Sequence, residues 1–205
     1  MANDIRDRNQ YFKHEEIHAY LKQYTGALAN ALNKVDYDEL QRAKDLMRIT
    51  QARNGRIFVG GNGGSAAIAD HLTCDFVKGT YSEKRPALNV QSLVGNQALL
   101  TAIANDLGYE HIFSWQLLAA RVCGNDLLIL ISSSGNSANI IDATTVAQSR
   151  GCPVIGLTGF DGGMLHKLAN SKLHVPFNNY GIVEDCHQAI MHILAQFNYQ
   201  SYHAK

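Results

Sequence analysis

The 205-residue sequence predicts an α/β fold: a five-stranded parallel sheet in a three-layer arrangement, with helices on both faces and a helical extension in front of it. Three observations carry this. Five short apolar runs, Ile57 to Gly60, Leu88 to Leu93, Asp126 to Ile131, Pro153 to Thr158 and Leu173 to Val175, alternate with helical segments. That is the order a parallel sheet needs, because each strand must return through a crossover. The run from Asp126 to Ile131 is continuously apolar, as in a strand buried on both faces. Residues 1–54 carry helical periodicity and no strand pattern.

The elements follow in order. Ile17, Leu21, Tyr24, Leu28 and Leu32 recur at three- and four-residue steps and mark an amphipathic helix. Asp36, with Glu39 three residues later, reads as a capping box, and Leu40, Ala43, Leu46 and Met47 continue a second helix that stops near Asn54-Gly55. The first strand runs into Gly60-Gly61-Asn62-Gly63-Gly64-Ser65 and then a helix holding Ala66, Ala67, His71 and Asp75. The third runs into Ser132-Ser133-Ser134-Gly135-Asn136-Ser137 and a helix from Ala138. Near the end, Ile190, Ile193, Leu194 and Phe197 form the core stripe of a last helix. In an open parallel sheet, ligands sit beyond the carboxyl ends of the strands near the point where strand order reverses, so the two glycine- and serine-rich turns mark the expected site.

Length and composition narrow the possibilities. The chain reads as one domain over 1–205, divided into the extension (1–54) and the α/β core (55–205), long enough to bury a core without staples. Eighteen basic and eighteen acidic side chains cancel, which gives no global field for nucleic acid or an anionic membrane. Cys74, Cys123, Cys152 and Cys186 show no CxxC pair and read as reduced, buried thiols. No apolar leader stands at the N-terminus and no eighteen apolar residues run together, so the expected location is the cytoplasm.

The chemistry-bearing residues cluster around those turns. Serine hydroxyls and main-chain N–H groups at a helix start suit an anion, with Ser132, Ser133, Ser134 and Ser137 on one turn and Asn62, Gly63 and Ser65 on the other; the competing explanation is serines that merely cap a helix. The glycine spacing is not GxGxxG and no GxxxxGK[ST] loop is present, which disfavours a nucleotide. His71 and Asp75 share a helix face, and Glu184, Gln188 and His192 recur at steps of four, so two helices offer acid and imidazole groups for proton transfer or a divalent metal. His187 is expected in a supporting or surface role, and His14, His18, His111, His166, His174 and His203 have no partner at helical spacing. Asp106, after Asn105, either caps the next element or holds a sugar hydroxyl.

Four segments, GNGGSAAIADH, LTAIANDLGYEHIF, ISSSGNSANI and LTGFDGG, in this order and spacing, closely resemble the sugar isomerase (SIS) domains of the phosphoheptose isomerase group. Those enzymes convert sedoheptulose 7-phosphate to glycero-manno-heptose 7-phosphate for bacterial heptose and surface-polysaccharide, including lipopolysaccharide, biosynthesis. The resemblance covers about residues 15 to 200. It implies a doubly wound sheet and a homotetramer with active sites between subunits. It also implies a sugar phosphate held by Ser132, Ser134 and Ser137 with Asn62 and Ser65, Asp106 near the sugar, and zinc on His71, Asp75, Glu184 and His192. Two positions depart from the family pattern: Asp75 stands where Glu is usual, and Glu184 where Gln is common. The loop FNNYGIVED also lacks an Asp/Arg pair some members carry. The implied reaction passes through an enediol, with Asp75 or Glu184 as base and His192 as acid. The alternatives are a non-catalytic SIS protein that binds a partner such as the replication initiator, or an isomerase of another phosphosugar. Asp75 and His192 favour an enzyme, because the partner-binding relative has uncharged residues there.

Overall fold

The computed structural model describes residue 12, residues 15–83 and residues 86–203. Two helices come first, α1 (Ile17–Leu32) and α2 (Tyr37–Ala52). The sheet strands are β1 (Ile57–Gly61), β2 (Val90–Ser92), β3 (Leu127–Ser132), β4 (Val154–Thr158) and β5 (Ser171–His174), all paired in parallel. Between and after them run α3 (Gly64–Thr80), α4 (Gln97–Asp106), a 3-10 turn at Tyr109–His111, α5 (Ser114–Ala119), α6 (Ala138–Ser149), α7 (Gly163–Leu168) and α8 (Tyr180–His203). The strand order is β2-β1-β3-β4-β5. Winding from β1 outward to β2 and then back to β3 makes the sheet doubly wound, with its order reversing between β1 and β3.

Burial follows the sequence pattern. All six residues of β3, the middle strand, are buried, and Leu127 to Ile131 have no exposure. A strand covered on both faces has no use for alternation, so the apolar run is continuous. One contiguous cluster joins Ile57, Phe58 and Val59 of β1 to Leu128 and Ile129 of β3, Ile155 of β4 and Ile190 and Leu194 of α8. Ala31, Ala43 and Met47 of the first two helices belong to the same cluster, so the extension packs on the sheet.

Two polar devices fasten the layers. Asp36 caps α2, accepting from the Asp38 and Glu39 N–H groups at 2.8 and 3.3 Å. Glu39 does not complete the expected box. Its carboxylate accepts from the Lys172 N–H at 2.8 Å, while Ser171 donates to the Glu39 carbonyl at 2.9 Å. The second half of the motif is therefore used to dock the helix on β5, the edge strand. At the amino end of the strands, Arg56 donates to Asp126 through Nε at 3.1 Å and Nη2 at 2.7 Å. Burial pushes Asp126 up, but the hydrogen bonds from Arg56 and from the Cys123 N–H hold it below the ordinary carboxylate range. Tyr24 ties α1 to α8, donating to Asp185 at 2.6 Å.

Two of these expectations change. The second strand is only Val90–Ser92 rather than Leu88 to Leu93; the flanking residues contribute one hydrogen bond each, Ile57 N–H to the Asn89 carbonyl and Leu93 N–H to the Val59 carbonyl, both at 2.8 Å. Cys152 and Cys186 are buried free thiols as expected, but Cys74 and Cys123 are exposed; an apolar stretch of sequence does not reveal which way one helical or loop residue faces. Among the described residues no helix is long and apolar enough to cross a membrane.

Candidate active site

The glycine turn after β1 and the serine turn after β3 lie side by side, since β1 and β3 are paired up to Gly61 and Ile131. This is the point where strand order reverses, the place an open parallel sheet offers a ligand. Each turn opens directly into a helix. The N-cap of α6 is Ser137 and that of α3 is Gly63, and neither makes a side-chain cap hydrogen bond. The Ser137 hydroxyl is thus not spent as a helix cap, which weighs against the capping explanation of that residue. The start of α6 borders the pocket, where its N–H groups and dipole suit an anion, while the Glu184 carboxyl lies at the start of α3.

The pocket is lined by Asn62, Ser65, Ser132, Ser133, Ser134, Ser137, Tyr180 and Glu184. All four serines expected from the third turn are in it, with two of the three residues expected from the first; Gly63 is the N-cap of α3 at its edge. Ser133 Oγ is buried with no hydrogen-bond partner among the described residues. A buried hydroxyl without a partner costs free energy, so it suits a site that a polar ligand completes. Tyr180 was not expected here; it enters as the first residue of α8, and no spacing rule in the sequence marks it.

A second cluster lies further along the parallel helices α3 and α8. Asp75 Oδ2 stands 3.5 Å from His71 Nε2 and 3.5 Å from His192 Nε2. The two imidazoles meet edge to face at 5.0 Å, and Gln188 Nε2 lies 3.1 Å from His192 Nε2. One ligand atom from each of His71, Asp75 and His192 falls within 4.8 Å of the others. The three border a cavity of about 490 Å³ that continues past Lys78, Gln196 and Tyr199. Two imidazoles and a carboxylate make a donor set suited to a divalent transition metal with a position left for substrate. The same groups, half exposed, are able to accept and donate protons.

Two predicted residues are placed elsewhere. Glu184 is not in the His71, Asp75, His192 cluster; its carboxyl lies against Gly64, where a Cβ would meet it, and faces the serine turn. Helical spacing gives Glu184 and His192 a broad common face, but eight residues separate them by about 12 Å along the axis, too far for two side chains that lean the same way to meet. Burial, and then the neighbouring Asp185, raise the Glu184 carboxyl above its ordinary range. Asp106 is exposed at the end of α4, accepts from the Asn105 side chain at 2.8 Å, and does not line the serine pocket.

The remaining histidines are also sorted. His111 Nδ1 lies 2.9 Å from Asp142, which Ser114 also approaches; the partner comes from another helix, so helical spacing could not show it. His166 and His174 pack ring to ring at 4.8 Å. His14 and the side chain of His203 lie outside the described residues. His187 is fully buried rather than at the surface, and its Nε2 donates to the Thr158 carbonyl at 3.1 Å.

That burial gives a pH prediction. Burial pushes His187 down from 6.5 to about 4, against the opposing effect of its Thr158 bond. Between those values the unfolded chain binds a proton that the folded chain refuses, so this contribution is whole above pH 6.5 and is lost as pH falls toward 4. The loss amounts to about 3 kcal/mol. Urea unfolding at a series of pH values measures it, and His187→Phe flattens the slope across that window. An unchanged slope in the variant removes His187 as the source.

The SIS domain pattern matches residues 19–159 of the chain. The chain is similar to the phosphoheptose isomerase of Aneurinibacillus thermoaerophilus, with 38% identity over 181 residues, 85% of this chain and 90% of that protein. It is 40% identical to the phosphoheptose isomerase of Aliarcobacter butzleri over 159 residues, 78% and 83% of the two chains. Among solved structures, a phosphoheptose isomerase from Francisella tularensis superposes with a TM-score of 0.82 at 31% identity, covering 90% of this chain and 96% of that one.

Proposed function

The chain belongs to the SIS-domain family, and from that premise we propose that it is a phosphoheptose isomerase, interconverting sedoheptulose 7-phosphate and D-glycero-D-manno-heptose 7-phosphate. The observation that carries an enzyme, rather than a module that only binds, is the convergence of Asp75 with His71 and His192 beside an open cavity. Relatives named phosphoheptose isomerase supply the substrate class.

The division of labour follows the two clusters. The phosphate rests on the serine turn, Ser132, Ser133, Ser134 and Ser137, with Ser65 and the Gly63 turn across from it, and this anchoring orients the reacting carbons. Asp75 takes a proton from C1 of the ketose, and the C1–H electron pair becomes the carbon–carbon double bond of an enediol as O2 is protonated. Return of the proton to C2, with loss of the O1 proton, gives the aldose. Asp75 turns Oδ2 to the two imidazoles, which leaves Oδ1 for the carbon-bound proton. His192 moves protons at the two oxygens. Glu184, in the serine pocket and with a raised pKa, is a partner of the phosphate end rather than the base.

His71, Asp75 and His192 would hold a divalent ion, zinc by the chemistry of the donor set, which when bound polarises the substrate carbonyl. In this reading the chain assembles as a homotetramer with active sites between subunits, as the family resemblance implies. The apolar residues left exposed on α1 and α8, Ile17, Leu21, Ile193 and Phe197, are suited to such contacts. The contiguous core supports one domain over 1–205, with 1–54 as its extension. Four free cysteines accord with a reducing cytoplasm, and the product class points to bacterial heptose and lipopolysaccharide synthesis.

The test is exchange of solvent deuterium into sedoheptulose 7-phosphate followed by NMR, with and without a chelator. Exchange at the carbon beside the carbonyl, lost on chelation and restored by zinc, is the expected result. Exchange into pentose or hexose phosphates alone overturns the heptose assignment, and phosphate-sugar binding without any exchange overturns the enzyme in favour of a partner-binding protein.

A further inference from the structure

Asn62, in the glycine turn, is hydrogen-bonded across the strand reversal to Asn139, in the first turn of α6. Asn62 Nδ2 donates to Asn139 Oδ1 at 2.9 Å, and Asn139 Nδ2 donates back to Asn62 Oδ1 at 2.9 Å. Tyr109, on the 3-10 turn, adds its hydroxyl to the same Asn62 Oδ1 at 2.9 Å. A side-chain amide has two lone pairs on its oxygen and two N–H donors. Both lone pairs of Asn62 and one of its donors are therefore spent on protein. Asn139 is 1% exposed, so its amide has no solvent to fall back on.

We propose that Asn139 and Tyr109 are positioning residues that hold the glycine turn and the serine turn in register through the side chain of Asn62. The amide of Asn62 then serves the two turns, rather than the sugar phosphate that the resemblance assigns to it. The physical need is plain. Turns from two different crossovers must face one phosphate, and nothing in the β1–β3 ladder fixes the turns beyond Gly61 and Ile131. A reciprocal amide pair is directional in both partners, so it fixes distance and angle together. Tyr109 and Asn62 also line a common cavity of about 330 Å³. The inference rests on the proposed anion site for what is bound, but not on the isomerase reaction.

Tyr109→Phe removes one oxygen from a half-exposed ring and leaves folding intact; Asn139→Leu removes the buried amide. Inorganic phosphate affinity, by calorimetry, and the kcat and KM of the heptose phosphate are measured for each and for the double variant. The expected result is about threefold weaker phosphate binding in Tyr109→Phe and about tenfold in Asn139→Leu. KM rises in parallel and kcat moves little, and the double variant is no worse than Asn139→Leu, because both act through one amide. Wild-type phosphate affinity in Tyr109→Phe, or losses that simply multiply, overturns the clamp. A loss in kcat with phosphate affinity intact also overturns it. If the phosphate pattern appears but no heptose phosphate is turned over, the clamp stands and the isomerase reading falls.

Discussion

Asp75→Asn lowers kcat by about 10³-fold and leaves inorganic phosphate affinity within about twofold. The substitution keeps the size of the side chain and its place between His71 and His192, 3.5 Å from each imidazole. What it removes is the charge and the capacity to take a carbon-bound proton. An amide oxygen is too weak a base for that step, so the barrier rises by the whole general-base contribution. Phosphate affinity is the internal control, because the serine pocket shares no lining residue with the cavity at Asp75. Glu184→Gln supplies the contrast. With its carboxyl against Gly64 and the serine turn, Glu184 lies too far along α8 to serve as the base, and its amide form keeps turnover within about tenfold. Full activity in Asp75→Asn, together with a dead Glu184→Gln, reverses the assignment of the two acids. Asp75→Glu is informative in the other direction: one added methylene carries the carboxyl toward the cavity and retains measurable exchange.

The sequence was most legible where period and position carry the information. The continuous apolar run ending at Ile131 is the buried central strand, and Asp36 caps α2 as its spacing indicates. Residues of both turns expected to form the site line one pocket, because a strand–turn–helix unit has little freedom in where it points. Less legible were properties set by distance along an element or by contact between elements. Helical spacing put Glu184 and His192 on one face, but the face says nothing of the axial gap between them. Glu39 was read as half of a capping box, yet the edge strand's Lys172 N–H competes for its carboxylate and wins. The partner of His111 is on another helix and the buried position of His187 depends on β4, so neither leaves a local trace. Nothing in the local sequence singles out Asn139. Its role depends on Asn62, seventy-seven residues away.

Gly135→Ala destabilises the fold by about 4 kcal/mol and weakens phosphate binding at least about tenfold, the first figure combining left-handed strain with a backbone clash. Gly135 has φ +62°, and a Cβ there would strike the Gly162 carbonyl. The clash matters because the serine turn is braced against the turn after β4. Leu165 N–H donates to the Gly135 carbonyl at 2.9 Å, Gly159 N–H to the Ser133 carbonyl at 2.8 Å, and Met164 N–H to Asn136 Oδ1 at 3.0 Å. This is the structural work of the glycines in LTGFDGG, and it lets main chain meet main chain without side chains between. Pushing the turns apart breaks those bonds and swings the serine hydroxyls out of register with the start of α6. Gly63→Ala separates strain from clash. Gly63 has φ +55°, but nothing lies within 4 Å of a Cβ at that position. Its substitution costs the strain alone, about 1–3 kcal/mol for a φ, ψ pair of +55°, −121°. Urea denaturation of both variants measures the difference, and equal destabilisation at the two glycines would show that the brace contributes nothing beyond the turn's own conformation.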